Sequence, residues 1–255
     1  MNIEVHRAEY QEVEALRELY RQEVNCQIIH DSILRRGMAD PYLILVNGRI
    51  AGYGGVWNKH DIGRLMEYYT LPSARAYSLP MFQELLKVSQ AVSMEVQTNI
   101  PLMLQMFVDC ASNIRKEYIL FEDAKTTDIG CADGIFRRID AKDKESLFEH
   151  KHEPGGEWMI EARGEAVATG GALYHYNPPY GDIYMEVEES HRRRGYGSYL
   201  VQELKRVCYE IGKKPAARCN VHNTASRATL QKAGLLPCGS LLVGDIIASE
   251  GLEPV

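Results

Sequence analysis

The residues best placed to do chemistry stand in one short run, ESHRRRGYGSYLVQEL (189–204), where three arginines sit beside two glycines. Arg192, Arg193 and Arg194 offer positive charge, and Gly195 and Gly197, lacking a Cβ, let a ligand come close to the backbone. The apolar residues that follow, Leu200, Val201, Leu204, Val207, Cys208 and Ile211, recur at helical spacing, with Gly212 as a helix end. Upstream, GDIYMEV (181–187) is strand-like. The glycines therefore fall in a strand-to-helix turn, where unpaired N–H groups and the helix dipole favour an anion. A P-loop would need Gly-Lys-Ser/Thr, which is absent, and the dinucleotide fingerprint would need a glycine where Leu200 stands. Taken alone, the run suits either a phosphate cradle or a solvated basic turn.

Candidate proton-transfer groups lie close by. Asp182 and Glu186 flank Tyr184 on the strand-like run, all on one face by the two-residue period. Glu186 is nearest the turn and is the first choice as a general base. A structural acceptor is the equal alternative, because Glu67 holds the matching place in the repeat described next. His191 and His222 fall in loops. His175 and Tyr176 follow a hairpin strand, where an acceptor substrate could pass.

The elements that must position these groups occur twice. NGRIAGYGGVW (47–57) and RGEAVATGGALY (163–174) share a turn glycine, an alternating run and a glycine pair, so both read as hairpins. LMEYYTLPSARAYSLPMFQELLK (65–87) parallels YMEVEESHRRRGYGSYLVQELKR (184–206), and EVQTN (95–99) parallels CNVHN (219–223). Each half reads as hairpin, strand, helix, strand, helix, an α/β (α+β) pattern with a mixed, mostly antiparallel sheet flanked by helices. The polar stretch FEDAKTTDIGCADG (121–134) divides them, giving domains 1–124 and 125–255. At the repeat offset Arg192, Gly195 and Gly197 become Ser73, Ala76 and Ser78, so the first copy is expected to lack the anion site. The second copy has only 143–157 where the first has two helix-like segments within 9–40.

Composition narrows the function classes. The 255 residues carry a net charge of −6, which gives no global attraction to nucleic acid or anionic membranes. MNIEVHRAEY lacks the apolar core of a signal peptide, and no apolar run nears the roughly 20 residues of a membrane span. The six cysteines are scattered without CxxC or His-Cys metal spacing, as in a reduced, cytoplasmic protein without a metal site.

RRRGYG (192–197) resembles the [Q/R]xxGx[G/A] acyl-CoA loop of the GNAT superfamily of N-acetyltransferases. NTASRATLQKAGL (223–235) is similar to the family's NxxS…KxGF segment, with Asn223, Ser226, Lys232, Gly234 and Leu235 in register. Val187 stands where the family ends its fourth strand at a β-bulge. The resemblance covers about 125–255 well and 1–124 by pattern, and it implies two tandem GNAT-like domains, the first without a coenzyme loop.

It further implies that backbone amides of Arg192, Arg193, Arg194, Gly195, Tyr196, Gly197 and Ser198 hold the coenzyme A pyrophosphate. Met185 to Val187 would bond the pantetheine arm as an added strand, and the Val187 amide would face the thioester carbonyl. Asn223 and Ser226 would line the other side, Asn223 also reading as a helix N-cap. Many relatives carry an acid Tyr where this chain has Leu230. The expected function is transfer of an acetyl group from acetyl-CoA to a primary amine of a small molecule or peptide in a ternary complex. The alternative is a non-catalytic acyl-CoA-binding or sensing module. Neither nucleic acid nor membrane is expected as a partner, and self-association is left open.

Overall fold

An Asn-Gly or Arg-Gly pair with β-type residues on both sides closes a hairpin in each half of the chain. The computed structural model describes residues 1–24, 31–175 and 178–247. Cys26, Tyr176 and the start of the second helix-like segment lie outside them. In chain order the first half forms β1 (Ile3–Arg7), α1 (Tyr10–Glu23), α2 (Asp31–Arg35), β2 (Ala39–Val46), β3 (Arg49–Trp57) and β4 (Arg64–Thr70). There follow a 3-10 turn (Pro72–Tyr77), α3 (Ser78–Ser89), β5 (Ser93–Gln97), α4 (Pro101–Cys110) and β6 (Ala111–Asp123). The second half forms β7 (Gly134–Arg138), a 3-10 turn (Ala141–Asp143), β8 (Trp158–Ala162), β9 (Glu165–Leu173) and β10 (Tyr180–Val187). It continues through α5 (Tyr196–Glu210), β11 (Lys214–Asn220), α6 (Thr224–Lys232) and β12 (Leu235–Ile246). At the two hairpin tips Asn47 and Gly48 take φ of 49° and 73°, and Arg163 and Gly164 take 55° and 83°. Tight hairpin turns need that left-handed pair because their twist matches the strands.

These elements fold as two units, Met1–Tyr118 with Gly239–Val255, and Ile119–Cys238. In the first, the strand order is β1-β2-β3-β4-β5-β12-β6. Its returning strand, β12, pairs antiparallel with β5 from Leu241↔Gln97 to Asp245↔Ser93. Val243 is buried there, and a Cβ on Gly244 would lie 3.1 Å from Phe107 Cζ.

In the second unit the order is β11-β10-β9-β8-β7. Leu200, Val201, Leu204 and Cys208 of α5 pack on Ile160, Val167, Ala168, Ile183 and Ala217 of that sheet. Each such aliphatic side chain contributes about 1.5–3 kcal/mol by leaving water. Among the described residues, a 3-10 turn is the one helical element between β7 and β8, where the first unit has α1 and α2 between β1 and β2.

One register feature positions the site. β10 pairs parallel with β11 only from Tyr180↔Lys214 to Ile183↔Ala217. On its other side it stays paired with β9 through Val187↔Ala168. The backbone of 184–187 is thus left without a strand partner on the β11 side. The bulge expected at Val187 is not there, since the β9–β10 register is unbroken. The matching strand pair of the first unit, β3 with β4, does have a register shift, between Gly55 and Val56.

That bulge corrects the repeat. Gly55 lies opposite Glu67, whereas its counterpart Gly171 lies opposite Tyr184. By that pairing Glu67 aligns with Tyr184 and not with Glu186, so Glu67 says nothing about the role of Glu186.

Candidate active site

The start of α5 is built to receive an anion. Gly195 caps the helix at φ 91°, and no side chain bonds the first turn. A Cβ on Gly195 would meet nothing within 4 Å, so what requires glycine there is the backbone angle. Among the described residues, the amides of Tyr196, Gly197 and Ser198 have no partner within the chain. They face out with the positive end of the helix dipole behind them.

Gly197 is needed for a different reason. A Cβ there would sit 3.2 Å from Val187 Cγ2 and 3.3 Å from Thr229 Cγ2, so its absence lets the helix start wedge between β10 and α6. Arg192 Nε donates to the Val187 carbonyl at 3.3 Å, tying the loop to the strand end. Arg192, Arg193 and Arg194 are exposed. The Tyr196 side chain is buried and donates to Asp133 at 3.0 Å, which leaves only its backbone for a ligand.

A cleft of about 680 Å³ runs from this helix start along the open edge of β10, between Met185, Val187, Gly197, Asn223, Ser226 and Thr229. Every residue expected to hold coenzyme lines it except Arg194. Asn223 caps α6, its Oδ1 accepting from the Ser226 amide at 2.9 Å. The cleft fits a long anionic ligand: unpaired amides at one end, an unpaired strand edge along one wall.

A smaller cavity of about 80 Å³ adjoins it, sharing Glu153, Met185 and Ser226 with the cleft and adding Asp182, Tyr184, Arg218 and Leu230 among others. Asp182 is 6% exposed and stands 3.5 Å from Arg218 Nε through Oδ2, while its Oδ1 is buried without a hydrogen-bond partner. Burial pushes the Asp182 carboxyl up to about 6, although Arg218 pulls the other way. Burial also raises Glu153, as do Asp182 and Glu186, against Arg218. Glu153 nonetheless reaches solvent. Leu230, where the family resemblance would imply a tyrosine, is an apolar wall here.

Glu186 is engaged differently from expectation. Its carboxylate accepts the Lys151 amide at 3.2 Å and the His152 and Glu153 amides at 3.1 Å each. Burial alone would raise it, but the three amides outweigh burial and its pKa is lowered. A carboxylate held ionised by backbone donors is a weak proton acceptor. The geometry suits an anchor for 151–153.

His191 lines the cleft and pairs with Glu188 through Nδ1 at 2.8 Å. His175 and His222 line neither cavity. Glu153 and His152 escaped sequence reasoning because a polar loop of HEPGG has no periodicity to place it.

In the first unit the matching ground is closed. The 3-10 turn Pro72–Tyr77 runs directly into α3, and the Ser78 amide is spent on the Arg75 carbonyl. Arg17 donates to both oxygens of Glu67 at 3.0 and 2.7 Å, and Tyr53 to the same carboxylate at 2.9 Å. All three side chains are buried.

Among the described residues no group of His, Cys, Asp and Glu could hold a metal ion, and no helix is long and apolar enough to cross a membrane. Residues 122–235 match the acetyltransferase (GNAT) family, and residues 9–124 match an acetyltransferase (GNAT) domain. A GNAT-family acetyltransferase from Colwellia psychrerythraea has a similar structure, with TM-score 0.74 and 14% identity over 97% of this chain and 100% of that one. A tandem GNAT protein from the clavulanic acid biosynthesis pathway follows, at 0.58 and 12% over 96% and 98%. A GCN5-related N-acetyltransferase from Sphaerobacter thermophilus gives 0.57 and 13% over 95% of each chain. No curated protein matches the chain.

Proposed function

Because the chain belongs to the GNAT acetyltransferase family in both of its halves, with two such domains in tandem, we propose that its second copy transfers an acetyl group from acetyl-CoA to a primary amine. The observation that carries this reading is the meeting of two cavities at Met185, Glu153 and Ser226. The long cleft suits the coenzyme, with its pyrophosphate on the amides of 196–198 and its pantetheine along Met185 to Val187. The small cavity suits the amine. The unit Met1–Tyr118 with Gly239–Val255 is then the copy that has lost its coenzyme site, and Ile119–Cys238 the working one, in place of the sequence-expected division at 124/125.

The residues account for the chemistry as follows. An alkylammonium has a pKa near about 10.4, so making it neutral at pH 7 costs about 4.6 kcal/mol, which a positioned base can offset. The neutral amine attacks the thioester carbonyl carbon: a C–N bond forms, the C–S bond breaks, and the thiolate leaves. The Val187 amide, past the end of pairing with β11, would donate to the developing oxyanion. The second nitrogen proton ends on the departing sulfur, whose conjugate acid has a pKa near about 8.5. That transfer can occur within the collapsing adduct, so Leu230 in place of a tyrosine is compatible with turnover.

Leu230 is also the observation that favours the alternative, a module that binds acyl-CoA without transfer. Free-thiol release from acetyl-CoA with a set of small and peptide amines separates the two. Amine-dependent release supports transfer; tight acetyl-CoA binding without release by any amine supports the binding module.

A further inference from the structure

A buried carboxylate oxygen with no hydrogen-bond donor is costly, and native structures rarely leave one without a reason. Asp182 Oδ1 is such an atom, on a side chain 6% exposed that lines the 80 Å³ cavity. Its other oxygen faces Arg218 at 3.5 Å, beyond good hydrogen-bond distance. The cavity is therefore lined by a side chain that carries an acceptor without a donor.

We propose that Asp182 and Glu153 recognise the acceptor as a small ammonium cation, and that Asp182 Oδ1 takes its first proton. This rests on the acetyl-transfer reading above. Three features of the cavity support it. Two carboxylates, Asp182 and Glu153, face one guanidinium, Arg218, which leaves a net negative charge for a monocation to neutralise. The volume equals about two to three waters at roughly 30 Å³ each, room for the end of a short alkylammonium and not for an aromatic amine. Met185 and Ser226 belong to both cavities, so a nitrogen at Asp182 borders the cleft assigned to the thioester.

The alternative base on the same strand is excluded by its contacts, since Glu186 is held by the amides of 151–153. That hold has a use. It fixes the segment that carries Glu153 over the cavity, which makes Glu186 a positioning residue. The step balances: R–NH3⁺ gives one proton to Asp182, the amine attacks, and the second proton leaves with the thiol. Asp182 then returns its proton to solvent on the side where Glu153 is exposed.

Asp182 works only when ionised. The groups that face it are Arg218 from β11, Glu153 from the loop and Tyr184 on its own strand, with Glu186 and His152 beside Glu153. Its carboxyl, lifted to about 6 by burial, predicts an acid limb in kcat/KM near that pH.

The test compares full-length wild type, Asp182→Asn and Glu153→Gln, with ethylamine, propylamine and glycinamide as probes. Asp182→Asn is expected to lower kcat/KM for propylamine at pH 7 by about 10²–10⁴-fold and to erase the acid limb, with acetyl-CoA affinity unchanged. The loss should be smaller for glycinamide, whose amine has a pKa near about 8. Glu153→Gln should mainly raise the amine KM. An equal loss for all three amines at every pH would mark Asp182 as structural and overturn the assignment. So would a wild-type profile without an acid limb, a result that needs no variant to fold. Absence of thiol release by wild type with any amine overturns the transfer reading itself. Release with an unaltered Asp182→Asn profile overturns only the base.

Discussion

Replacing Glu186 by Gln separates an anchor from a base. The wild-type carboxylate is 7% exposed and accepts three backbone amides, from Lys151, His152 and Glu153. Hydrogen bonds to a charged group are worth about 1.5–3 kcal/mol each. Gln keeps one neutral oxygen and turns an NH2 toward donors, so the net loss should be about 2–3 kcal/mol, a fall of roughly 1 M in the urea midpoint. Trp158 can report the second unit alone if Trp57 is first changed to Phe. The pH dependence gives the check. Glu186 has a lowered folded pKa, so its contribution is present above the unfolded value of about 4.3 and is lost as pH falls through the folded pKa. The gap between wild type and Glu186→Gln should thus be full at pH 7 and shrink below pH 4. Activity should fall about tenfold, mostly through the amine KM, because the loosened segment carries Glu153. Unchanged stability with a collapse in kcat would refute the anchor and restore Glu186 as the base.

Gly197→Glu should abolish acetyl-CoA binding by calorimetry, since even a Cβ presses on Val187 and Thr229 and the added charge repels phosphate; retained binding would misplace the cradle. The wild-type stoichiometry should be near one per chain, because the first unit spends its Ser78 amide internally; a value of two would contradict that. Glu67→Ala should destabilise the first unit by about 3–5 kcal/mol in chemical unfolding, the cost of leaving Arg17 buried without its carboxylate, with acetyl-CoA affinity intact.

What could be read from the sequence was local. The hairpin at Asn47-Gly48, the helix after Gly195 and the cap at Asn223 depend on neighbours within a few residues, and each is present. Missed features depend on distant partners. Nothing in HEPGG announces that Glu186 will gather its amides and aim Glu153. The bulge beside Val56 adds one residue to β4, and the strand pairing sets Glu67 level with Tyr184 where the sequence parallel had set it level with Glu186. The two carboxylates on β10 were visible as a pair. Only the place of Arg218 and the amides of 151–153 show that Asp182 lines the small cavity with an unpaired oxygen while Glu186, on the cleft, is already engaged.

The returning strand β12 sets a schedule for synthesis. The first unit takes in residues from Gly239 onward, among them Val243 and Gly244 against β5 and Phe107. Its amino-terminal portion leaves the ribosome first but stays one strand short until the whole second unit has been translated. At 5–20 residues per second that wait lasts roughly 6–24 s. During it the edge of β5 is an unpaired template that another nascent chain could occupy. A stop codon just after Cys238 would therefore do its damage far upstream, leaving the second unit with its full residue complement and the first with an open edge.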